Sequence, residues 1–159
     1  MFYTESKTRR REAETRRGRQ SACCFTGHRP GKLPWRYNEE DLRCVSLKAR
    51  IADAVEAAYQ EGFRHFLCGM ALGCDLYFCE CVLRLRQTHP DVTVEAAVPC
   101  PSQADAWPPD QRRPYERLVV ACDFETLVSA CYTPACMQRR DRYMVDHAAL
   151  LIAAFDGSP

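Results

Sequence analysis

The sequence predicts an α/β protein, and two observations lead to this class. Short apolar runs such as ACCF, FRHFL and LLIAAF have the length and the residue types of buried strands. The segments between them repeat apolar residues every three or four positions, as amphipathic helices do. Strands that alternate with helices form βαβ units with a parallel sheet. We therefore expect a Rossmann-like three-layer domain with a mostly parallel sheet.

Length and composition fit one globular domain. A chain of 159 residues buries roughly 70% of the surface that it exposes when unfolded, so a hydrophobic core needs no disulfide or metal to support it. Hydrophobic residues make up 47% and charged residues 27% of the chain, which is ordinary for a globular protein. The net charge of +1 gives no global indication of nucleic-acid binding.

The charge is concentrated at the start of the chain. Residues 1–20 contain seven Lys and Arg against three Glu and few apolar residues, so we predict a disordered basic arm ahead of a domain over residues 21–159. The arm is interpreted either as a solvated tail or as a contact with nucleic acid or a membrane surface. It has no apolar segment typical of a secretory signal, and the sequence has no run of 18 apolar residues. We expect a cytoplasmic protein without a membrane partner.

The first half of the chain contains two predicted strands and two predicted helices. The opening strand stops at Thr26-Gly27 and leads His28 and Arg29 into a turn. Glycine at position 62 is suited to end the first helix, because it readily adopts the left-handed conformation. The predicted elements are the strand 22–25, a helix that begins at Asn38 or Glu39 and ends at Gly62, the strand 63–67, and a deeply packed helix from Asp75 to about Gln87.

The second half continues the same alternation. A loop with Pro and Trp residues, SQADAWPPDQRRP, precedes a short predicted helix. The predicted elements are the strand 92–98, a short helix around residues 115–121, a strand over 126–130, a charged helix over 136–148 and a last buried strand over 150–155.

Eleven cysteines are many for a chain of this length. They include no CxxC pair, and structural zinc sites usually have such pairs. Most of them lie among apolar residues, where a thiol behaves as a small hydrophobic group. We interpret them mainly as core residues, with metal binding or redox chemistry as alternatives, and we expect no metal or cofactor.

Residues with binding chemistry follow the predicted strands. In open parallel sheets, ligands bind at the carboxyl ends of the strands. His28 and Arg29 come directly after the first strand, and arginine is suited to bidentate phosphate contacts. Gly69 and Gly73 flank the start of the second helix, where backbone N–H groups can approach a phosphate. Asp75 then either caps that helix or accepts a hydrogen bond from a sugar hydroxyl.

The charged helix offers further candidates. Arg139, Arg140 and Arg142 lie near its start, and they either form a solvated face with pairs such as Arg142–Asp146 or hold a phosphate or carboxylate. No Ser/His/Asp elbow, HExxH or Walker sequence is present, so no catalytic residue is assigned.

Several motifs together carry a resemblance to a known family. CCFTGHRPGKLPW, GMALGCD, the loop from Pro99 to Trp107 with Gln103, and RRDRYMVDHAALLIAAFDG occur in this order. They resemble the YpsA-like family of the SLOG superfamily over roughly residues 21–157. That family has a Rossmann-like fold related to DprA and to the lonely-guy phosphoribohydrolases. The resemblance implies a ligand pocket formed by Gly27, His28, Arg29, Gly69, Gly73, Asp75, Arg140 and Asp146.

The resemblance also implies a function. The superfamily is thought to bind nucleotides, so we expect binding or sensing of a nucleotide-derived, ADP-ribose-like ligand. The alternatives are a hydrolase of nucleotide N-glycosidic bonds and a protein or DNA interaction module that uses the basic arm; a homo-oligomer is also expected. The chain departs from the family pattern at Asp141, where asparagine is usual. The family continues beyond Asp156-Gly157 into a Gly-Gly-x-x-x-Thr segment, so we expect an incomplete C-terminal end.

Overall fold

Five parallel strands form the central sheet of the structure, a computed structural model that describes residues 18–155. The order across the sheet is β4-β3-β2-β1-β5, and every neighbouring pair is parallel. Residues 1–17 of the predicted basic arm, together with Asp156 and Gly157, lie outside the described residues. The strands are β1 (Ala22–Gly27), β2 (His65–Cys68), β3 (Thr93–Val98), β4 (Phe124–Leu127) and β5 (Leu150–Ala154).

Four α-helices connect these strands. Each follows a strand and leads into the next, which produces the predicted βαβ succession. The helices are α1 (Leu42–Gln60), α2 (Cys74–Thr88), α3 (Pro109–Ala121) and α4 (Cys136–Asp146). Two short 3-10 turns, Arg19–Ser21 and Pro30–Lys32, flank β1.

Hydrophobic residues fill both faces of the sheet. The larger core lies between the sheet and α1, α2 and α3, and the rings of Phe25 and Phe78 stack in it with centroids 4.6 Å apart. On the other face, Met144 of α4 packs against Cys24, Leu67 and Ala97. Helices therefore cover both sides of a parallel sheet, and the predicted Rossmann-like α/β class is confirmed.

The ends of α1 show how local chemistry defines a helix. The prediction placed its start at Asn38 or Glu39, but the helix begins at Leu42 because the Asp41 side chain accepts the backbone N–H of Arg43 at 2.9 Å. At the other end, Gly62 has a φ of 105°. The N–H of Phe63 donates to the carbonyl oxygen of Ala58, which closes the helix as a glycine C-cap does.

The third helix is longer than predicted. The prediction placed a short helix around Tyr115 to Ala121. The observed helix begins at Pro109 and continues through Pro114. Proline is favoured in the first turn, where N–H groups have no partner within the helix, so Pro109 suits its position.

The last two strands also differ from the prediction. The fourth strand was expected at 126–130 but spans Phe124–Leu127. The fifth strand was expected to be buried, yet Leu151 is 49% exposed. This strand lies at the edge of the sheet and pairs only with β1 among the described residues, which explains its exposure.

The cysteines are mostly core residues, as predicted. Ten of the eleven are buried, and Cys131 is exposed. All are free thiols, although the sulfur atoms of Cys79 and Cys122 approach to 3.8 Å. Within residues 18–155, no group of three or more His, Cys, Asp or Glu side chains is placed to hold a metal ion. No helix in the same part of the chain is long and apolar enough to cross a membrane.

Candidate functional site

The carboxyl ends of β1, β2 and β3 lie at one edge of the sheet, and a crevice opens between the loops that follow them. Ligands of open α/β sheets bind at the carboxyl ends of the strands, and this crevice lies there, on the side of β1 that faces β2 and β3. A cavity of about 350 Å³ opens here, and we call it the crevice pocket. Its lining includes Arg29, Pro30, Tyr37, Leu72, Gln103 and Trp107.

Arg29 gives this pocket its charge. Among the described residues that line the crevice pocket, Arg29 alone is charged. Its side chain is exposed and forms no ion pair with a carboxylate of residues 18–155. The backbone turns immediately after it into the 3-10 turn Pro30–Lys32, which keeps the guanidinium at the end of β1. An anionic group is the ligand chemistry that this arrangement favours.

Two glycines allow the end of β1 to pack directly against the start of α2. A Cβ on Gly27 would lie 2.5 Å from the Cβ of Cys74, and a Cβ on Gly73 would lie 2.8 Å from the carbonyl oxygen of His28. Gly73 also has a φ of 91°, a conformation that other residues rarely adopt. The N–H of Cys74 donates to that same His28 oxygen at 3.2 Å. The backbone N–H of Cys74, at the start of α2, is therefore hydrogen-bonded within the protein.

Asp75 lies beneath the loop between β2 and α2. Its side chain is buried, with 6% exposure, and one carboxylate oxygen accepts the N–H of Ala71 at 3.2 Å. Burial raises the pKa of Asp75 to about 6, although the charge of Arg140 and the hydrogen bond from Ala71 act in the opposite direction. Asp75 is therefore placed to shape the loop that lines the pocket.

Arg140 reaches the same loop from the other side of the sheet. Its guanidinium is 5% exposed and donates to the carbonyl oxygen of Gly69 and to a carboxylate oxygen of Asp141. A Cβ on Gly69 would lie 2.8 Å from an Asp75 oxygen and 2.9 Å from an Arg140 nitrogen. Glycine at position 69 thus leaves room for both buried charges. Asp141, the departure from the family pattern, lies against Arg140.

Two other predicted site residues, Asp146 and His28, do not line the crevice pocket. Asp146 is the last residue of α4, is exposed and pairs with Arg142 at 3.7 Å. The helix begins beyond the carboxyl end of β4 and ends just before β5, so Asp146 lies toward the amino ends of the strands and the structure does not bring it to the crevice. His28 is half-buried, and its ring centroid lies 5.8 Å from that of Phe155.

The structure adds crevice residues that were not among the predicted site residues. Gln103 and Trp107 come from the loop after β3, and Tyr37 comes from the loop after β1. The amide nitrogen of Gln103 donates to the carbonyl oxygen of Met70 at 2.6 Å, and Met70 has the unusual φ of 62°. The loop from Pro99 to Trp107 was among the motifs noted in the sequence, but none of its residues was predicted to bind the ligand.

A second group of polar residues lies on the α4 side of the sheet. Glu95 is 2% exposed and accepts hydrogen bonds from the hydroxyls of Thr126 and Tyr143, at 2.8 and 2.7 Å. A ring nitrogen of His65 lies 2.8 Å from the other carboxylate oxygen of Glu95. No role for His65 is predicted from the sequence. A single glutamate in the apolar strand sequence VTVEAAV was the available signal, because a buried carboxylate needs partners.

Comparison with known proteins identifies one family. The model of the YspA SLOG family (YpsA) matches residues 23–158. The uncharacterized SPbeta prophage-derived protein YoqJ of Bacillus subtilis is 31% identical over 72% of this chain and 74% of its own length. A UPF0398 protein of Halalkalibacterium halodurans is 29% identical over 71% of this chain and 63% of its own length. A UPF0398 protein of Bacillus velezensis is 24% identical, with 84% and 76% covered.

Proposed function

Because this chain belongs to the YspA SLOG family, we propose that it binds a nucleotide or a nucleotide-derived, ADP-ribose-like ligand in the crevice pocket. Membership of the SLOG family supports a nucleotide-related role. The relatives bear names that state no ligand, so the ligand class is argued from the pocket.

One observation carries the proposal: a single exposed cation stands among aromatic and apolar residues at the strand ends. Arg29 supplies a guanidinium for phosphate oxygens, while Trp107 and Tyr37 supply ring surfaces that suit a base or a sugar. The cavity of about 350 Å³ lies within the size range of small-molecule sites. Its described lining comes mainly from the loops that follow β1, β2 and β3, at the carboxyl ends of the parallel strands, where open α/β sheets bind ligands.

Thermal denaturation against a panel of nucleotides and ADP-ribose tests the proposal. A ligand at 100 times its Kd adds about 2.7 kcal/mol to the free energy of unfolding, which raises the Tm of a domain of this size by roughly 5 to 10 °C. Arg29→Gln should abolish most of the shift, and Arg29→Lys should retain part of it because the charge remains. Arg84→Gln, at an exposed position of α2, is the matched control. Absence of a shift with every panel member would contradict the proposal.

The hydrolase alternative receives less support from the site. Hydrolysis of an N-glycosidic bond needs a carboxylate or another acid–base group at the ligand, but Asp75 is buried beneath the loop and does not line the crevice pocket. An interaction module that uses the basic arm depends on residues that lie almost entirely outside the described part of the chain. Binding of nucleic acid through residues 1–20, a homo-oligomer and a cytoplasmic location remain predictions.

A further inference from the structure

A second pocket adjoins the crevice pocket and has a different chemistry. Its volume is about 190 Å³, and it lies between the loop after β1 and the helices α2 and α3. The two pockets share Pro30, Tyr37 and Leu72. The rest of the second pocket is formed mainly by Arg36, Tyr77, Glu80, Asp110, Gln111 and Leu118. A molecule in one pocket can therefore contact the residues that border the other.

The charges of the second pocket are largely balanced. Two of its carboxylates form ion pairs, Glu80 with Arg117 at 3.0 Å and Glu39 with Lys48 at 2.5 Å. The remaining charged lining residues, Arg36 and Asp110, have opposite signs. A site without excess charge favours an uncharged group, whereas the crevice pocket has the positive charge of Arg29.

The lining also indicates which uncharged group fits. Leu72, Leu76 and Leu118 provide apolar surface, while Asp110 and Gln111 provide acceptors for hydroxyl or amino donors at the rim. A volume of about 190 Å³ is below the range for a whole small-molecule ligand, so the second pocket suits one part of a larger molecule.

We propose that the second pocket is a subsite for the neutral sugar or base of the ligand whose phosphate binds at Arg29. This inference rests on the proposed function and adds the orientation of the bound ligand, with its phosphate in the crevice pocket and its neutral end in the second pocket. Tyr37 is common to both pockets and is 58% exposed, so its ring borders the junction between the phosphate and the neutral end. The proposal predicts that nucleoside monophosphates bind more tightly than pyrophosphate, because only the former use both pockets.

Titration calorimetry with AMP, GMP, CMP, UMP and pyrophosphate tests the subsite. Gln111→Trp places a large ring at the second pocket from the surface of α3, and Glu116→Trp is the control at an exposed position of the same helix. Gln111→Trp should weaken binding of the tightest nucleotide tenfold or more and leave pyrophosphate within twofold. Glu116→Trp should change neither. Asp110→Asn, a nearly isosteric change at an exposed position, should weaken the same nucleotide at least threefold.

The outcomes separate this inference from the proposed function. If the wild-type protein binds none of the five probes and does not bind ADP-ribose, the proposed function fails and the subsite fails with it; if it binds ADP-ribose alone, the same variants are compared with ADP-ribose. If it binds nucleotides but Gln111→Trp and Asp110→Asn leave their affinity unchanged, the subsite is overturned and the proposed function stands. Equal weakening of nucleotide and pyrophosphate by Gln111→Trp would also overturn the subsite. Should Gln111→Trp not fold, as judged by circular dichroism, the result of Asp110→Asn decides.

Discussion

The buried guanidinium of Arg140 donates a hydrogen bond to the carbonyl oxygen of Gly69, 71 residues earlier in the chain. This contact joins α4, on one side of the sheet, to the loop that begins α2 on the other side. The same loop carries Ala71 and Leu72, which line the crevice pocket. The arginine therefore supports the floor of the candidate site without lining it.

Replacement of Arg140 by alanine should destabilise the fold. The change leaves the Gly69 carbonyl without this donor and removes the positive charge that opposes the desolvation of Asp75. Loss of one partner from a buried charged network typically costs about 3 to 5 kcal/mol, and urea denaturation would measure it. The control is Arg139→Ala at the exposed neighbouring position, which should stay within about 0.5 kcal/mol. Similar values for the two variants would contradict a structural role for Arg140.

Asp75 should make stability depend on pH. Burial raises its pKa from 3.8 to about 6, so between these values the folded state keeps a proton that the unfolded state has lost. The contribution of Asp75 to stability is therefore fully present below about pH 4, decreases as pH rises to about 6, and then levels off. The shift corresponds to about 3 kcal/mol at most.

Asp75→Asn isolates this effect because asparagine does not titrate. The free energy of unfolding of the wild type, minus that of the variant, should fall between pH 4 and pH 6.5 when measured by urea denaturation. Asp53→Asn, at an exposed position of α1, controls for the loss of a negative charge. A difference that rises with pH would show that Arg140 outweighs burial and that the pKa of Asp75 is lowered.

Gly73→Ala should distort the contact between β1 and α2. An alanine there must adopt a φ of 91° and places its Cβ 2.8 Å from a backbone oxygen of His28, which cannot yield as a flexible side chain can. We expect a loss of about 2 kcal/mol or more, together with weaker nucleotide binding. Gly62→Ala separates backbone strain from steric overlap. Gly62 also has a positive φ, of 105°, but no atom lies within 4 Å of its added Cβ. The loss of stability in Gly62→Ala should be smaller, about 1 kcal/mol by thermal denaturation, because only the strained backbone contributes.

Much of the fold could be predicted because its signals are local. The apolar runs around Phe25 and Phe66 and the periodicity of α1 are visible in short windows of sequence. The position of the crevice could also be predicted from the order of strands and helices. Parallel strands place their carboxyl ends at one edge of the sheet, where ligands bind. Arg29 could therefore be assigned to that edge, and the structure places it in the lining of the crevice pocket.

The features that escaped prediction depend on contacts between distant segments. Glu95 gains its partners from β2, β4 and α4, and no window of sequence contains all three. The family resemblance placed Arg140 and Asp146 in one pocket, but α4 runs from one edge of the sheet to the other and separates them. The prediction placed only a short helix around Tyr115 to Ala121, whereas α3 begins at Pro109, and packing of Tyr115 and Leu118 against the core stabilises it across Pro114.

The eleven thiols should react at very different rates with Ellman's reagent. Ten are buried, and burial raises the pKa of Cys68 and Cys74 to about 11, so few thiolates form near neutral pH. The exposed Cys131 should account for a fast phase of one thiol per chain, and Cys131→Ser should remove that phase. In denaturant all eleven should react, since all are free. A fast phase of two or more thiols in the native protein would show that part of the core opens, and the pair Cys79–Cys122, with sulfurs 3.8 Å apart, would be the first to examine by mass spectrometry.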